Sequence, residues 1–200
     1  MLISFMKKVI LGATGSIGST LARSLVKSGD KVHLVGRDEA SLSTLANELD
    51  SSFTTCDMLE ENFTDKILSE LGDTPINGLA YCVGSIDLKP LKLIKKSDFM
   101  RSFNLNLVSA AEIIKALSDN LKQNKGSVVL FSTVAVKQGF PNHAIVSSAK
   151  GAVEGLTLAL AAEFAPNIRV NCIAPSLTKS KISEFILKNE KMAESIAKMH

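Results

Sequence analysis

The chain has 200 residues, of which 23 are lysine or arginine, 20 are aspartate or glutamate and 46% are hydrophobic. This composition excludes a disordered chain and a disulfide-rich miniprotein, and the length is sufficient for one domain with a substantial core. Basic residues are scattered and aromatic residues make up only 5% of the chain, so we expect no nucleic-acid-binding surface.

Cysteine usage and hydropathy bear on the compartment. Cys56, Cys82 and Cys172 lie in apolar runs and form no Cys-x-x-Cys pair, which predicts neither a disulfide framework nor a metal site and favours the reducing cytoplasm. No apolar run approaches the roughly 20 residues of a membrane-spanning helix, so we expect no membrane partner. Residues 1–5 lack the order of a signal peptide and are expected to be a non-native or disordered start before Met6.

Strand and helix patterns alternate along the chain. Strands are predicted at residues 9–11, 32–35, 53–56, 79–83, 128–131 and 168–173. Helices are predicted between them from apolar residues three or four apart, and a last amphipathic helix over 179–200 is expected to cover the substrate. Short connections and nearly continuous apolar strands predict one α/β domain over 1–200, a doubly wound parallel sheet of Rossmann type with helices on both faces.

A glycine-rich turn follows the first predicted strand and reads Gly12-Ala-Thr-Gly15-Ser-Ile-Gly18. Glycines permit a tight turn and a close approach of the backbone to a ligand. The free N–H groups at the start of the following helix favour a phosphate. No Gly-Lys-Ser/Thr sequence follows, which excludes a P-loop, and the strand–turn–helix context favours a dinucleotide over a turn without ligand.

The end of the second predicted strand bears on the choice between NAD and NADP. An acidic side chain there would bind the ribose 2′-hydroxyl of NAD, whereas this chain has Gly36 followed by Arg37. A guanidinium can pair with the 2′-phosphate, so NADP is favoured over NAD. The alternative is that Arg37 is merely solvated, beside Asp38 as a helix cap.

Seven segments together resemble the short-chain dehydrogenase/reductase family over nearly all of residues 7–180. They are the glycine turn, Cys56-Asp-Met58, Asn77-Gly-Leu-Ala-Tyr-Cys-Val-Gly84, Phe103-Asn-Leu-Asn106, Gly126-Ser-Val-Val-Leu-Phe-Ser132-Thr133, Ala149-Lys150 and Ile168-Arg-Val-Asn-Cys-Ile-Ala-Pro175. The resemblance implies an NADP(H)-dependent oxidoreductase that transfers a hydride between nicotinamide and a small-molecule carbonyl or alcohol. It also implies a homodimer or homotetramer.

The resemblance implies roles for particular residues. The implied cofactor-binding residues are Gly12, Thr14, Gly15, Ser16, Ile17, Gly18, Arg37, Asp57, Met58, Gly84, Lys150, Pro175 and Thr178. The implied catalytic residues are Asn106, Lys150 and Thr133, the last of which replaces the family's serine and has Ser132 beside it as a substitute. Lys150 is also implied to bind the nicotinamide ribose.

The family's active-site tyrosine has no counterpart. It stands four residues before the lysine, where this chain has Val146, and the one tyrosine, Tyr81, lies in the fourth-strand motif. Hydride reaches a carbonyl carbon only if the oxygen gains a proton or strong hydrogen bonds. The proton must then come from His143, Thr133 or water. His143 is alternatively a residue that only caps or packs at the start of the lysine helix.

Two functions of different classes follow from these residues. The first is an oxidoreductase with an atypical proton donor, and the second is a dinucleotide-binding sensor or pseudoenzyme without turnover. Thr133, Asn106 and Lys150 favour the enzyme, whereas Val146 favours the sensor. Both bind the cofactor, so cofactor binding alone does not separate them.

Two further features bear on assembly. Small residues recur every fourth position at Ser147, Gly151, Gly155 and Ala159, which predicts a helix face for self-association or for close packing on its own sheet. The family's seventh strand has no counterpart before the chain stops at His200. Either the sequence is truncated here or the protein is unusually short, and an open sheet edge would be an aggregation liability.

Overall fold

The computed structural model describes residues 6–180 and residue 183, and within them the strands form one parallel sheet. The strands are β1 (Lys7–Leu11), β2 (Lys31–Gly36), β3 (Ser52–Thr55), β4 (Ile76–Tyr81), β5 (Ser127–Phe131) and β6 (Arg169–Ile173). Their order is β3-β2-β1-β4-β5-β6, with every neighbouring pair parallel. The predicted doubly wound sheet is confirmed.

Helices connect the strands. They are α1 (Ser16–Lys27), α2 (Glu39–Leu49), α3 (Phe63–Leu71), α4 (Lys96–Phe103), α5 (Ser109–Gln123), α6 (Ala135–Gln138) and α7 (Ala144–Phe164). A 3₁₀ turn precedes α4, and a π-helical segment, Asn104–Val108, joins α4 to α5. The helix predicted over 179–200 falls largely on 181, 182 and 184–200, which lie outside the described residues, as does the start predicted for 1–5.

Strand β1 shows why the apolar runs are nearly continuous. Val9 and Leu11 face a core built largely on α3 and α5, whereas Ile10 faces a second core with residues of α1 and α2. Successive side chains of a strand point to opposite faces. Because helices cover both faces of the sheet, all three residues are fully buried.

Helix α7 has 21 residues, and its mean hydropathy reaches 1.3 over an 18-residue window. By length and composition alone, it is the one helix among the described residues that could cross a membrane. Its contacts with β5 and β6 account for part of this apolar character, because one side of the helix packs on the sheet. The sequence pattern did not reveal this candidate, since Lys150 and Glu154 interrupt the apolar run.

A buried histidine joins β2 to the edge strand β3. His33 is fully buried, its Nδ1 lies 2.8 Å from Ser52 Oγ and its Nε2 lies 2.8 Å from Thr54 Oγ1. Burial, with a smaller contribution from the charge of Lys7, lowers the pKa of His33 to about 4. The imidazole is therefore neutral at neutral pH.

Candidate active site

A cavity of about 220 Å³ opens beyond the carboxyl ends of the central strands. Its wall contains the following residues named from the sequence: Ile17, Gly84, Thr133, His143, Val146, Lys150, Pro175 and Thr178. The segments that carry them follow β1, β4, β5 and β6, where a doubly wound sheet binds its ligand. Most of the remaining wall is apolar, including Ile86, Phe140 and Leu177.

The glycine turn beside the cavity requires its glycines. Gly12 has a φ of +73°, and a Cβ there would lie 2.9 Å from the Cys82 carbonyl. A Cβ on Gly18 would lie 2.3 Å from the Gly12 oxygen, so a side chain there would force the start of α1 away from the turn. The N-cap residue of α1 is Gly15, which has no side chain to bond the first N–H groups of the helix, and the first turn of α1 contains no acidic residue. This turn fits the diphosphate of a dinucleotide.

Arg37 and Asp57 lie at the ends of the neighbouring strands β2 and β3, away from the cavity wall. The Arg37 side chain is 78% exposed, and its Nη1 is 4.0 Å from Asp57 Oδ2. Asp57 also accepts a 3.0 Å hydrogen bond from the Leu59 amide. The Met58 side chain is buried in the core, and its carbonyl accepts a hydrogen bond from Ser109. Arg37 thus remains accessible to a ligand that extends past β2.

Asn106 lies in the π-helical segment and is buried beside Gly84. Its Nδ2 donates to the Ser102 carbonyl at 2.9 Å, whereas its Oδ1 has no hydrogen-bond partner among the described residues. A Cβ on Gly84 would lie 3.0 Å from Asn106 Oδ1 and 3.2 Å from Lys150 Nζ. An unpaired buried amide oxygen costs about 1–3 kcal/mol, so this space is built for a ligand or water that donates a hydrogen bond.

Lys150 extends from α7 to the same space and is 8% exposed. Burial lowers the pKa of its ammonium to about 8, while Cys172 and Cys82 oppose this shift. The three cysteines are free thiols, and burial raises the pKa of Cys82 to about 12. Lys150 is therefore a cation whose proton is held less tightly than that of an exposed lysine.

Two hydroxyls at the end of β5 differ in their partners. Ser132 donates a 2.6 Å hydrogen bond to Glu154 Oε1, and Lys137 lies 3.5 Å from the other oxygen of that carboxylate. Thr133 Oγ1 accepts a long hydrogen bond, 3.3 Å, from the Ala135 amide. Ser132 is thus directed to Glu154, which leaves Thr133 the better placed hydroxyl for a substrate.

His143 immediately precedes α7 at the cavity wall. Its Nδ1 lies 2.8 Å from the Pro141 carbonyl, and its ring meets the Phe140 ring edge-on at 5.3 Å. A carbonyl only accepts, so Nδ1 carries a proton and Nε2 is left to face another partner. The side chain does not cap α7. His143 packs at the helix entry, and its role as an acid stays a prediction.

Val146 lies one helical turn before Lys150, is 5% exposed and contributes to the cavity wall. Tyr81, by contrast, is buried in the core and donates a 2.7 Å hydrogen bond to the Leu105 carbonyl. Burial raises the pKa of the Tyr81 phenol. Because the chain has no other tyrosine, this site contains no phenol.

Comparison with known proteins decides the family. A family model described as enoyl-(acyl carrier protein) reductase matches residues 12–200. The chain belongs to the short-chain dehydrogenase/reductase family. It is an NAD(P)-dependent oxidoreductase by this membership. The resemblance drawn from the motifs is confirmed.

Individual relatives of this short-chain dehydrogenase/reductase are named as reductases. A tropinone reductase homolog of Arabidopsis thaliana is 30% identical over 94% of this chain and 75% of its own length. The L-xylulose reductase of Bos taurus is 26% identical over 95% of this chain and 79% of its own length. The solved actinorhodin polyketide ketoreductase with NADPH has a TM-score of 0.84 at 24% identity, covering 92% of this chain and 74% of its own. That last likeness shows the fold.

Sequence reasoning missed two features of this dehydrogenase/reductase site. It did not find Glu154, although a carboxylate one turn after Lys150 was a readable signal. It also did not find the apolar wall formed by Phe140 and Leu177, because nothing in the sequence shows which loops meet. Among the described residues, no group of three or more possible metal ligands is present.

Proposed function

We propose that this protein is an NADP(H)-dependent reductase of small, uncharged carbonyl compounds. The observation that carries this proposal is the cavity, in which Thr133, Val146 and Lys150 lie together beyond the strand ends. When bound, the reduced nicotinamide supplies a hydride to the carbonyl carbon. Thr133 then holds the carbonyl oxygen by a hydrogen bond, and the apolar wall excludes water from it.

The glycine turn holds the diphosphate, and four other residues hold the nicotinamide end of the dinucleotide. Lys150 binds the ribose, and the unpaired Asn106 Oδ1 beside it accepts a hydrogen bond from a ribose hydroxyl or water. Pro175 and Thr178 line the cavity after β6, where Thr178 holds the carboxamide. The cavity wall contains no acidic side chain among the described residues, which favours a neutral substrate over a cationic one.

The direct test is NADPH oxidation in the presence of carbonyl compounds of different polarity. We expect turnover with an apolar cyclic ketone and less with a ketose such as L-xylulose. NADPH binding is measured in parallel by its fluorescence. Binding without oxidation of NADPH by any carbonyl compound would instead support the second candidate, a dinucleotide-binding sensor, which the missing phenol at Val146 favours.

The preference for NADP over NAD is proposed to rest on Arg37. Arg37→Ala is expected to weaken NADPH binding by about 1.5–3 kcal/mol, the contribution of a hydrogen bond to a charged group, and to leave NADH binding unchanged. The matched control is Arg23→Ala, which removes an exposed guanidinium from α1 that pairs with Glu48 instead. NADH binding as tight as NADPH binding by the unchanged protein would contradict this.

We also propose a homodimer or homotetramer that uses the outer face of α7. Gly155, Leu158 and Ala159 are exposed, and Leu158 is 74% exposed, so they do not pack on their own sheet. Ser147 and Gly151 contact α6 instead. Leu158→Glu is expected to reduce the mass measured by light scattering to that of a monomer. Leu91→Glu, at a 72% exposed leucine outside α7, is the control, and a monomeric parent would refute the assignment.

A further inference from the structure

Lys150 and Asn106 both approach the Cα of Gly84. The point that a Gly84 Cβ would occupy is 3.2 Å from Lys150 Nζ and 3.0 Å from Asn106 Oδ1. Lys150 Nζ and Asn106 Oδ1 are therefore no farther apart than the sum of these two distances. Asn106 Oδ1 nevertheless has no hydrogen-bond partner among the described residues. A single hydroxyl or water between the two atoms would donate to Oδ1 and accept from the ammonium, and it would thereby fix the position of the ammonium.

The groups around Lys150 do not neutralise its charge. The Cys82 thiol faces the ammonium from the segment after β4, and the Cys172 thiol faces it from β6. His143 lines the same cavity just before α7 begins. Glu154 follows on the same helix, but its carboxylate is occupied by Ser132 and Lys137. Burial without a paired carboxylate makes the Lys150 ammonium a stronger acid, with a pKa of about 8.

Other groups are less suited to supply the proton. The Thr133 hydroxyl can hydrogen-bond an alkoxide, but a net proton would still have to reach it from elsewhere. His143 is held by the Pro141 carbonyl and packed on Phe140 at the entry of α7. Val146 has no proton, and it leaves the path from Lys150 to a bound carbonyl free of the bulk of a phenol.

Resting on the proposed function, we propose that the Lys150 ammonium is the proton donor of the reduction, with Asn106 Oδ1 as the group that positions it. As a hydride arrives at the carbonyl carbon, the C–O π bond breaks and its electron pair moves to oxygen. The oxygen takes a proton from Nζ, directly or through one water, and the N–H electron pair stays on a neutral amine. Solvent returns a proton to the amine before the next turnover.

The experiment is the pH dependence of single-turnover NADPH oxidation with an apolar cyclic ketone. The acid must be protonated to act, so the rate is expected to be constant at low pH and to fall tenfold per pH unit above about pH 8. Lys150→Arg keeps the positive charge but has a pKa above 12, so it should lower the rate about 10²-fold and abolish the break near pH 8. His143→Gln should keep this break.

A second readout needs neither cofactor nor turnover. The folded pKa of Lys150 lies below its unfolded value, so the ammonium destabilises the fold. Relative to Lys150→Met, the unfolding free energy of the parent should therefore rise between pH 8 and pH 10.5. Equal slopes for the two proteins over this range would contradict the assignment.

The outcomes separate this inference from the proposed function. If NADPH is oxidised but the break near pH 8 persists in Lys150→Arg and disappears in His143→Gln, the proton donor is His143 and the inference is wrong. If NADPH binds and no carbonyl compound is reduced, the proposed function fails and the inference fails with it. Asn106→Ala should lower the rate and keep the break near pH 8, whereas Asn106→Asp should move the break to higher pH, because its carboxylate would pair with the Lys150 ammonium.

Discussion

Val146→Tyr is expected to raise the rate of carbonyl reduction by about 10²-fold, the lower end of what general acid catalysis contributes. The substitution places a phenol one helical turn from Lys150, whose positive charge lowers the pKa of the phenol. We expect the lower end because Lys150 already provides a proton in the parent. The measurement is the NADPH oxidation rate at saturating ketone.

The control for this prediction is Val146→Phe, which adds similar bulk without a hydroxyl. Val146 is 5% exposed, and overpacking a buried site costs about 1–3 kcal/mol, so thermal unfolding and NADPH binding are measured for both variants. If Val146→Phe raises the rate as much as Val146→Tyr does, the shape of the cavity rather than the supply of a proton limits the rate of the parent. In the Val146→Tyr protein, Lys150→Arg should cost less than in the parent, because the phenol has become the donor.

Acidification is expected to destabilise the protein through His33 by about 3 kcal/mol, since each pKa unit corresponds to about 1.4 kcal/mol. The folded pKa of His33, about 4, lies below the unfolded value of 6.5. The unfolded chain therefore takes up the proton first as pH falls. The contribution is complete above pH 6.5 and is lost progressively between pH 6.5 and pH 4.

The measurement is the unfolding free energy in urea at intervals from pH 7 to pH 4, for the parent and for His33→Gln. Glutamine does not titrate, and its amide retains hydrogen bonding toward Ser52 or Thr54. The difference between the two curves should fall by about 3 kcal/mol over this range. Curves that stay parallel would show that folding does not lower the pKa of His33, and they would contradict this prediction.

The sheet and the phosphate-binding turn could be predicted because each leaves a local signal. Strands such as β1 read as apolar runs, and Gly12 and Gly18 mark a turn that a Cβ would obstruct. The strand order is further constrained by the right-handed crossover connections of a parallel sheet. The apolar runs and the glycine turn each lie within a short stretch of chain, and sequence patterns are informative over such stretches.

The surroundings of the catalytic groups could not be predicted in the same way. Helix α4 carries few apolar residues, and the π-helical segment that carries Asn106 has no sequence signature. The orphaned Asn106 Oδ1 and its approach to Lys150 depend on how the π-helical segment and α7 meet beside Gly84. Likewise, the Glu154–Ser132 bond joins α7 to β5 and needs both elements in place.

The pairing of β1 with β4 has a consequence for the order of folding. Ile10 pairs with Leu34 on one side and with Ala80 on the other, so the first three strands can assemble with α1 and α2 before β4 is synthesised. The central strand of the sheet then remains unpaired along one side until a much later part of the chain arrives. Because non-local pairing slows folding, docking of β4 onto β1 is expected to limit the rate, and a nascent chain that stalls before Ile76 would display an aggregation-prone strand edge.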